Sequence, residues 1–278
     1  MTPQSKIWLV TGASSGLGKA LAAQLLESGY TVYATFRKEV QALTFESEHD
    51  RAHSLVLDVD DTKAIKPAID RVMKETGGRL DVLVNNAGYG FCGAIEEASE
   101  QDVRGQMETN FFGAYFVTQA VLPYMRAQGH GTILQISSQA GIKAAPGLGV
   151  YNASKFALEG FSEALAQEVA PLGIRVSLIE PGPFRTEWAG AGMKYPAKEI
   201  QAYDATAGRV RNMLKSYSGQ QPGSPEKAAK LMIAIAEADK VPLHLPLGAS
   251  ALTAVKQKIE WLKTDYEAWE QALLDTDY

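Results

Sequence analysis

The sequence predicts an α/β fold in which a parallel, doubly wound β-sheet carries helices on both faces. Three observations lead there. Short apolar runs alternate with stretches whose apolar residues recur at helical spacing, from residue 6 to about residue 182. The runs are apolar almost throughout, as in strands covered on both sides. No repeat, low-complexity tract or linker divides the chain, so residues 1–278 read as one domain.

The elements follow in order. "KIWLVTG" (6–12) is a buried strand breaking into a turn; "GKALAAQLLESGY" (18–30) is a helix with Leu21, Leu25 and Leu26 on one face and Gly29 as its stop. "TVYATF" (31–36) and "HSLVLDV" (53–59) are the second and third strands. A charged helix at about 62–76 leads to the fourth, "RLDVLVNNAG" (79–88). A helical stretch at about 99–127 has Phe112, Phe116, Val117 and Val121 on its apolar face, and "GTILQISS" (131–138) is the fifth strand. A helix from Ser154 to about Ala170 precedes the sixth, "GIRVSLIEPG" (173–182). Residues 183–225 break the rhythm. With its scattered aromatics Phe184, Trp188, Tyr195 and Tyr203, this insertion reads as a cover over a site rather than a disordered loop. The tail holds a helix at about 226–238, a short strand near "LHLPLG" and a long amphipathic helix at about 249–273.

Composition narrows the functions. Hydrophobic residues at 46% can bury a substantial core, and 21% charged residues are ordinary for a soluble globule. Lys and Arg number 27 against 32 Asp and Glu, a net charge of −5, so neither nucleic acid nor an anionic membrane is the expected partner. Cys92 is the only cysteine; no intrachain disulfide can form, which fits a reducing compartment. The apolar part of "MTPQSKIWLV" is too short for a secretion signal, and no apolar run approaches the about 18 residues of a membrane span. A soluble, cytoplasmic protein is expected. His49, His53, His130 and His244 show no metal-ligand spacing, so no metal is expected.

"TGASSGLG" (11–18) joins the first strand to the first helix. Gly12 can turn with positive φ, Gly16 lets backbone approach a ligand, and Gly18 permits tight helix–strand packing. The free N–H groups of the helix start, around Ser14, Ser15, Gly16 and Leu17, suit a pyrophosphate. A merely structural glycine turn is the alternative, and the strand–turn–helix context weighs against it. Tyr151 and Lys155 stand at i and i+4, one turn apart on one helix face. Alone, such a pair is usually a surface accident. Ser138 alone is a strand-end cap, and Asn110 alone a buried amide.

In order along the chain, however, TGASSGLG, NNAG (85–88), Asn110 in "NFFG", Ser138 in "ISS", Tyr151-x-x-x-Lys155 and "PGPFRT" (181–186) resemble the single-domain branch of the short-chain dehydrogenase/reductase family. The resemblance spans about residues 6–190, and Ser138 and Tyr151 stand 13 apart, the family's usual separation. It implies a Rossmann-type sheet of seven parallel strands ordered 3-2-1-4-5-6-7, and hydride transfer with a nicotinamide nucleotide. It implies Tyr151 as acid or base, Ser138 holding the substrate oxygen, Lys155 on the nicotinamide ribose, and Asn110 on a water joining Lys155 to solvent. Among cofactor-binding residues it places Asp58 against the adenine, with Val59, Asn85, Ala87, Gly88, Pro181, Gly182 and Thr186. Two of these keep structural alternatives: Asp58 as cap of the following helix, and Asn85 as a brace of the sheet.

The chemistry agrees. A free tyrosine, pKa about 10, is a poor base at neutral pH, and bringing it near 7 takes roughly 4 kcal/mol. Lys155 and a positively charged nicotinamide are expected to supply that together. Phe91, Ser138, Ile142, Leu148, Phe184, Trp188 and Met193 flank strand ends and predict a mainly apolar pocket for a ketone, aldehyde or secondary alcohol. For the coenzyme, an NAD site carries an acidic residue at the end of the second strand, where this chain has Phe36 followed by Arg37 and Lys38. A guanidinium there can grip a 2′-phosphate, so NADP(H) is expected. The alternatives are an NAD-dependent alcohol dehydrogenase, a nucleotide-sensing Rossmann protein without catalysis, and a sugar-nucleotide epimerase. The resemblance also implies a homodimer or homotetramer through the long helices at about 99–127 and 154–170.

Overall fold

The apolar runs become strands because side chains on both sides of each have a helix layer to bury against. The computed structural model describes residues 5–278; the first four residues of the segment weighed as a secretion signal lie outside them. In chain order the elements begin β1 (Ile7–Val10), α1 (Gly16–Glu27), β2 (Thr31–Phe36), α2 (Glu39–Ser47), β3 (Ala52–Val56), α3 (Thr62–Glu75) and β4 (Val82–Asn85). Next come β5 (Gly90–Phe91), α4 (Glu100–Met107), α5 (Ala114–Gln128), β6 (Gly131–Ile136), α6 (Gly149–Val169) and β7 (Ile174–Pro181). The chain ends with β8 (Met193–Lys194), α7 (Arg209–Tyr217), α8 (Pro225–Glu237), β9 (His244–Leu247) and α9 (Ala249–Leu274).

Seven strands pair in the order β3-β2-β1-β4-β6-β7-β9, every neighbour parallel. Counted within that sheet the order is 3-2-1-4-5-6-7, as the motifs implied. β5 and β8 form a separate two-stranded pair. Alternate residues of each strand serve opposite layers. Trp8 and Val10 join Leu21 and Leu25 of α1 and Met232 of α8 on one face. Leu9 joins Ile65 and Ile69 of α3, Val117 and Val121 of α5 and Leu165 of α6 on the other. The strand order reverses between β1 and β4, and in such sheets ligands bind outside the carboxyl ends at that switch point. Among the described residues no helix is long and apolar enough to cross a membrane.

Several boundaries differ from the sequence reading. α2 was not anticipated, because it buries only Ala42 and Phe45, too few to show a period. The stretch at 99–127 is α4, a π-helical turn over Glu108–Gly113, and α5. α6 begins at Gly149 rather than at Ser154, which brings Tyr151 into its first turn. The insertion at 183–225 contains β8 and α7, and a bridge between Phe184 and Gly223 closes it.

Candidate active site

The glycine turn is held from behind. Gly12 has φ +68°, and a Cβ there would stand 2.8 Å from Ala87 Cα. Gly16 has φ +60°. The Asn86 amide donates to the carbonyls of Thr11 and Gly12, both at 2.9 Å, while the Thr11 hydroxyl accepts from the N–H groups of Asn86 and Ala87. A side chain at Gly18 would collide with that Asn86 amide and with the Gly12 carbonyl, so Gly18 lets the helix pack tightly on the turn that follows β1. Ser15 precedes α1 in extended conformation and makes no side-chain cap, and Ser14 and Ser15 are exposed. The helix start therefore keeps its donors for an outside anion. Across the cleft, Thr186 Cβ lies 3.5 Å from where a Gly16 Cβ would be. This cradle fits the pyrophosphate of a dinucleotide, with backbone where any side chain would obstruct.

At the adenosine end, Arg37 is exposed directly after buried Phe36. Asp58 is exposed too, and the cap of α3 is Asp61, so the capping alternative for Asp58 is not realised. Arg37 and Asp58 both act electrostatically on Asp60, which places them along one edge. Buried Val59 packs against Gly113. Asn85 donates to Thr118 at 2.8 Å and Gln135 at 3.0 Å, inside the layer between sheet and α5. Its amide braces the sheet, and its neighbour Asn86 is the one that faces the glycine turn.

Folding brings the four catalytic candidates close. Ser138 follows β6, where its Oγ accepts from the Ala140 N–H at 3.1 Å and donates to the Pro181 carbonyl at a long 3.4 Å. Tyr151 is 5% exposed, its ring tilted on Trp188 at 5.1 Å between centroids. Lys155 Nζ lies 6.0 Å from the Tyr151 ring centroid and donates to the Ile136 carbonyl at 2.7 Å. Asn110 sits in the π-helical turn, a distortion that recurs at functional sites. Its amide accepts from Tyr89 N–H at 3.0 Å and donates to Tyr89 O at 3.0 Å and Ser154 Oγ at 3.1 Å. It ties the β4 exit to α6 rather than touching Lys155.

The tuning expected for Tyr151 needs the charge of an oxidised nicotinamide beside Lys155, and the chain's own surroundings act in the opposite direction. Burial pushes its phenol up to about 12, with the Ser138 hydroxyl opposing only in part. Burial also brings the Lys155 ammonium down to about 8, with Glu159 pulling the other way. Within the chain's own residues burial favours the neutral phenol of Tyr151.

The insertion forms the wall in front of this phenol. Trp188 and Met193 both crowd Gly90, where a Cβ would come within 2.7 Å of each. Phe91 is fully buried beside them in the β5–β8 pair, and Ile142 and Leu148 are half-buried on the way into α6. Phe184 departs from expectation: it packs on the core layer that includes α1 and α8, because the bridge to Gly223 turns it inward. The insertion is fastened by Arg211, which bonds Glu97 at 3.2 Å and Glu199 at 3.0 Å.

Behind Lys155 lies a group that sequence reasoning missed. Glu159 is one turn further along α6, and its carboxylate gathers with Glu180 of β7 and His244 of β9, one polar atom of each within 4.8 Å of the others. His244 Nδ1 meets Glu180 at 2.7 Å, whereas neither oxygen of Glu159 has a hydrogen-bond partner. Burial raises Glu159 to about 7, and neighbouring Ser137, His244 and Lys155 only moderate it. No signal could have found this trio, whose members lie on three separate elements. Asn86 and Thr11 were legible in principle, since both stand inside quoted motifs.

A family model described as "short chain dehydrogenase" matches residues 6–195. An oxidoreductase of Botryotinia fuckeliana is 38% identical over 97% of this chain and 98% of its own length. A 3-ketodihydrosphingosine reductase of Bacteroides thetaiotaomicron is 48% identical over 66% of this chain and 65% of its own. An NADPH-dependent 3-dehydrocapnine reductase of Ornithobacterium rhinotracheale is 40% identical over 66% and 67%. Among solved structures, a short-chain dehydrogenase from Streptomyces avermitilis superposes with a TM-score of 0.92 at 39% identity, covering 99% of this chain and all of that one. ElxO with NADP bound gives 0.74 at 28% identity, covering 90% of this chain and 100% of that one.

Proposed function

This chain belongs to the short-chain dehydrogenase family, and we propose that it is an NADP(H)-dependent oxidoreductase acting on the carbonyl or alcohol group of a mainly apolar small molecule. A nicotinamide nucleotide seated on the glycine turn supplies or accepts the hydride. In reduction, Tyr151 gives its phenolic proton to the carbonyl oxygen as negative charge develops there. Ser138 turns its hydroxyl to the same oxygen, at the expense only of a long bond to Pro181. Lys155 spends one of its three donors on Ile136 and keeps two for the ribose hydroxyls and the field around Tyr151.

The substrate class rests on the wall around Tyr151, where half-buried Trp188 offers apolar surface backed by buried Met193 and Phe91. One relative is named a 3-ketodihydrosphingosine reductase and another an NADPH-dependent 3-dehydrocapnine reductase. The cytoplasm fits the single thiol, Cys92, which burial pushes up to about 11 and so keeps unreactive. Self-association as a homodimer or homotetramer is supported by half-buried Phe111, Phe112, Tyr115, Phe116 and Phe161 on α5, α6 and the π turn between α4 and α5.

The observation that carries the coenzyme choice is exposed Arg37 beyond a strand that ends in Phe36 and offers no carboxylate. A charge-assisted hydrogen bond contributes about 1.5–3 kcal/mol. The expected result is a kcat/KM at least about tenfold higher with NADPH than with NADH, with Arg37→Ala erasing most of the gap. Equal use of both coenzymes by the unmodified enzyme overturns the assignment.

A further inference from the structure

Among the described residues α9 is anchored through its first half. Ser250 donates to Gln139, while Lys143 bonds Gln257 and lies 4.8 Å over the Trp261 ring. From Lys263 onward every residue of the helix is exposed. At 1.5 Å per residue α9 is about 39 Å long, and its second half has nothing of the described chain covering it.

Turned away from the anchoring face is an unbroken heptad seam. Its a positions are Leu252, Ile259, Tyr266 and Leu273, and its d positions Val255, Leu262 and Trp269. All four a residues and Trp269 are between 46% and 68% exposed. So long an apolar stripe marks a contact surface. Charge argues against a lipid occupant, because α9 has three lysines against Glu260, Asp265, Glu267 and Glu270, a poor match for an anionic bilayer.

The flanking charges select a second copy and its direction. In a parallel pair Lys258 faces the partner's Lys263 and Asp265 the partner's Glu270, four like-charge contacts by symmetry. An antiparallel pair centred between Leu262 and Tyr266 layers Val255 on the partner's Leu273, Ile259 on the partner's Trp269 and Leu262 on the partner's Tyr266. Lys256 then meets the partner's Glu270 twice. The like contacts fall to two, where Lys263 and Asp265 each face their own copies at the axis. This register also sends the two protein bodies to opposite ends. We propose that α9 is a self-association helix that pairs antiparallel with α9 of a second copy through this seam.

The test is the mass of the full chain in solution by light scattering at micromolar concentration, with circular dichroism and NADPH binding to certify folding. Ile259→Glu/Tyr266→Glu is expected to halve the assembled mass and leave both controls unchanged. Glu270→Lys is expected to weaken association about tenfold, and Lys256→Glu/Glu270→Lys to restore it. A parallel pair gives the opposite sign, since Glu270→Lys would relieve repulsion from Asp265 and tighten it. Wild-type mass in the seam variant, tighter association of Glu270→Lys, or a monomeric wild type that floats with phosphatidylcholine vesicles each overturns the proposal.

Discussion

Burial favours the neutral phenol of Tyr151, pushing it up to about 12, which suits the proton-donor role proposed for it in carbonyl reduction. Tyr151→Phe removes that proton and nothing else of size. Turnover is expected to fall by at least about 10²-fold, the low end for a general acid, while NADPH binding persists. Near-wild-type kcat in that variant would remove the phenol from the chemistry. Glu159 makes a second prediction at this scale. Burial raises its pKa from 4.5 to about 7. Between those values the folded chain holds a proton that the unfolded chain releases, so stability declines as pH rises through the window. Glu159→Gln cannot ionise. It should melt above the wild type at pH 8, by up to about 3 kcal/mol, and lose that advantage below about pH 4.5. A gap of the same size at both pH values would mean that the charge of Glu159 is not what costs stability. Of these residues Tyr151, Lys155, Ser138 and Asn110 were legible as motif positions. The sign of the Tyr151 shift was not, because it depends on how much water the surrounding side chains exclude.

The insertion between β7 and α8 carries Trp188 and Met193, which stand in the proposed substrate wall beside Tyr151. Arg211 is 2% exposed and pairs with Glu97, whose carboxylate also accepts from the N–H groups of Ala94 and Ile200 at 2.7 Å. Burial alone would raise Glu97, yet the Ile200 and Ala94 amides and Arg211 together hold it below its usual value. Arg211→Met leaves that buried carboxylate without its cation, a loss of about 3–5 kcal/mol. The melting temperature should drop, and limited proteolysis should cut first within 183–217. Unchanged melting and an unchanged cleavage pattern would show that the pair does not fasten the insertion. The covering role was an expectation from scattered aromatics after a strand end, and Trp188 does lie against the Tyr151 ring. The clamp was not legible, since Glu97 and Arg211 are 114 residues apart and neither stands in a motif. α2 escaped for a related reason: two buried side chains make a helix only because β2 and β3 are there to receive them.

Across the whole molecule, the sheet and its two helix layers bring the glycine turn to the carboxyl end of β1 and the Ser138, Tyr151 and Lys155 set to that of β6, while the Asn85 amide turns into the sheet and Phe184 faces the core. The aromatic group on α5 and α6 and the seam on α9 lie on different elements, so a chain using both would assemble as a tetramer and one using either as a dimer. The sequence by itself determined the fold class, the strand order implied by its motifs, the glycine turn and the Ser138, Tyr151 and Lys155 set. Those depend on local spacing and on apolar runs that any covering layer would bury. Only the tertiary structure decided that Asn86 holds the turn, that burial raises Tyr151, that Glu159, Glu180 and His244 meet behind the site, and that the seam of α9 is left exposed. Each of these is a relation between residues distant in the chain, and its strength is set by how much water packing removes from between them.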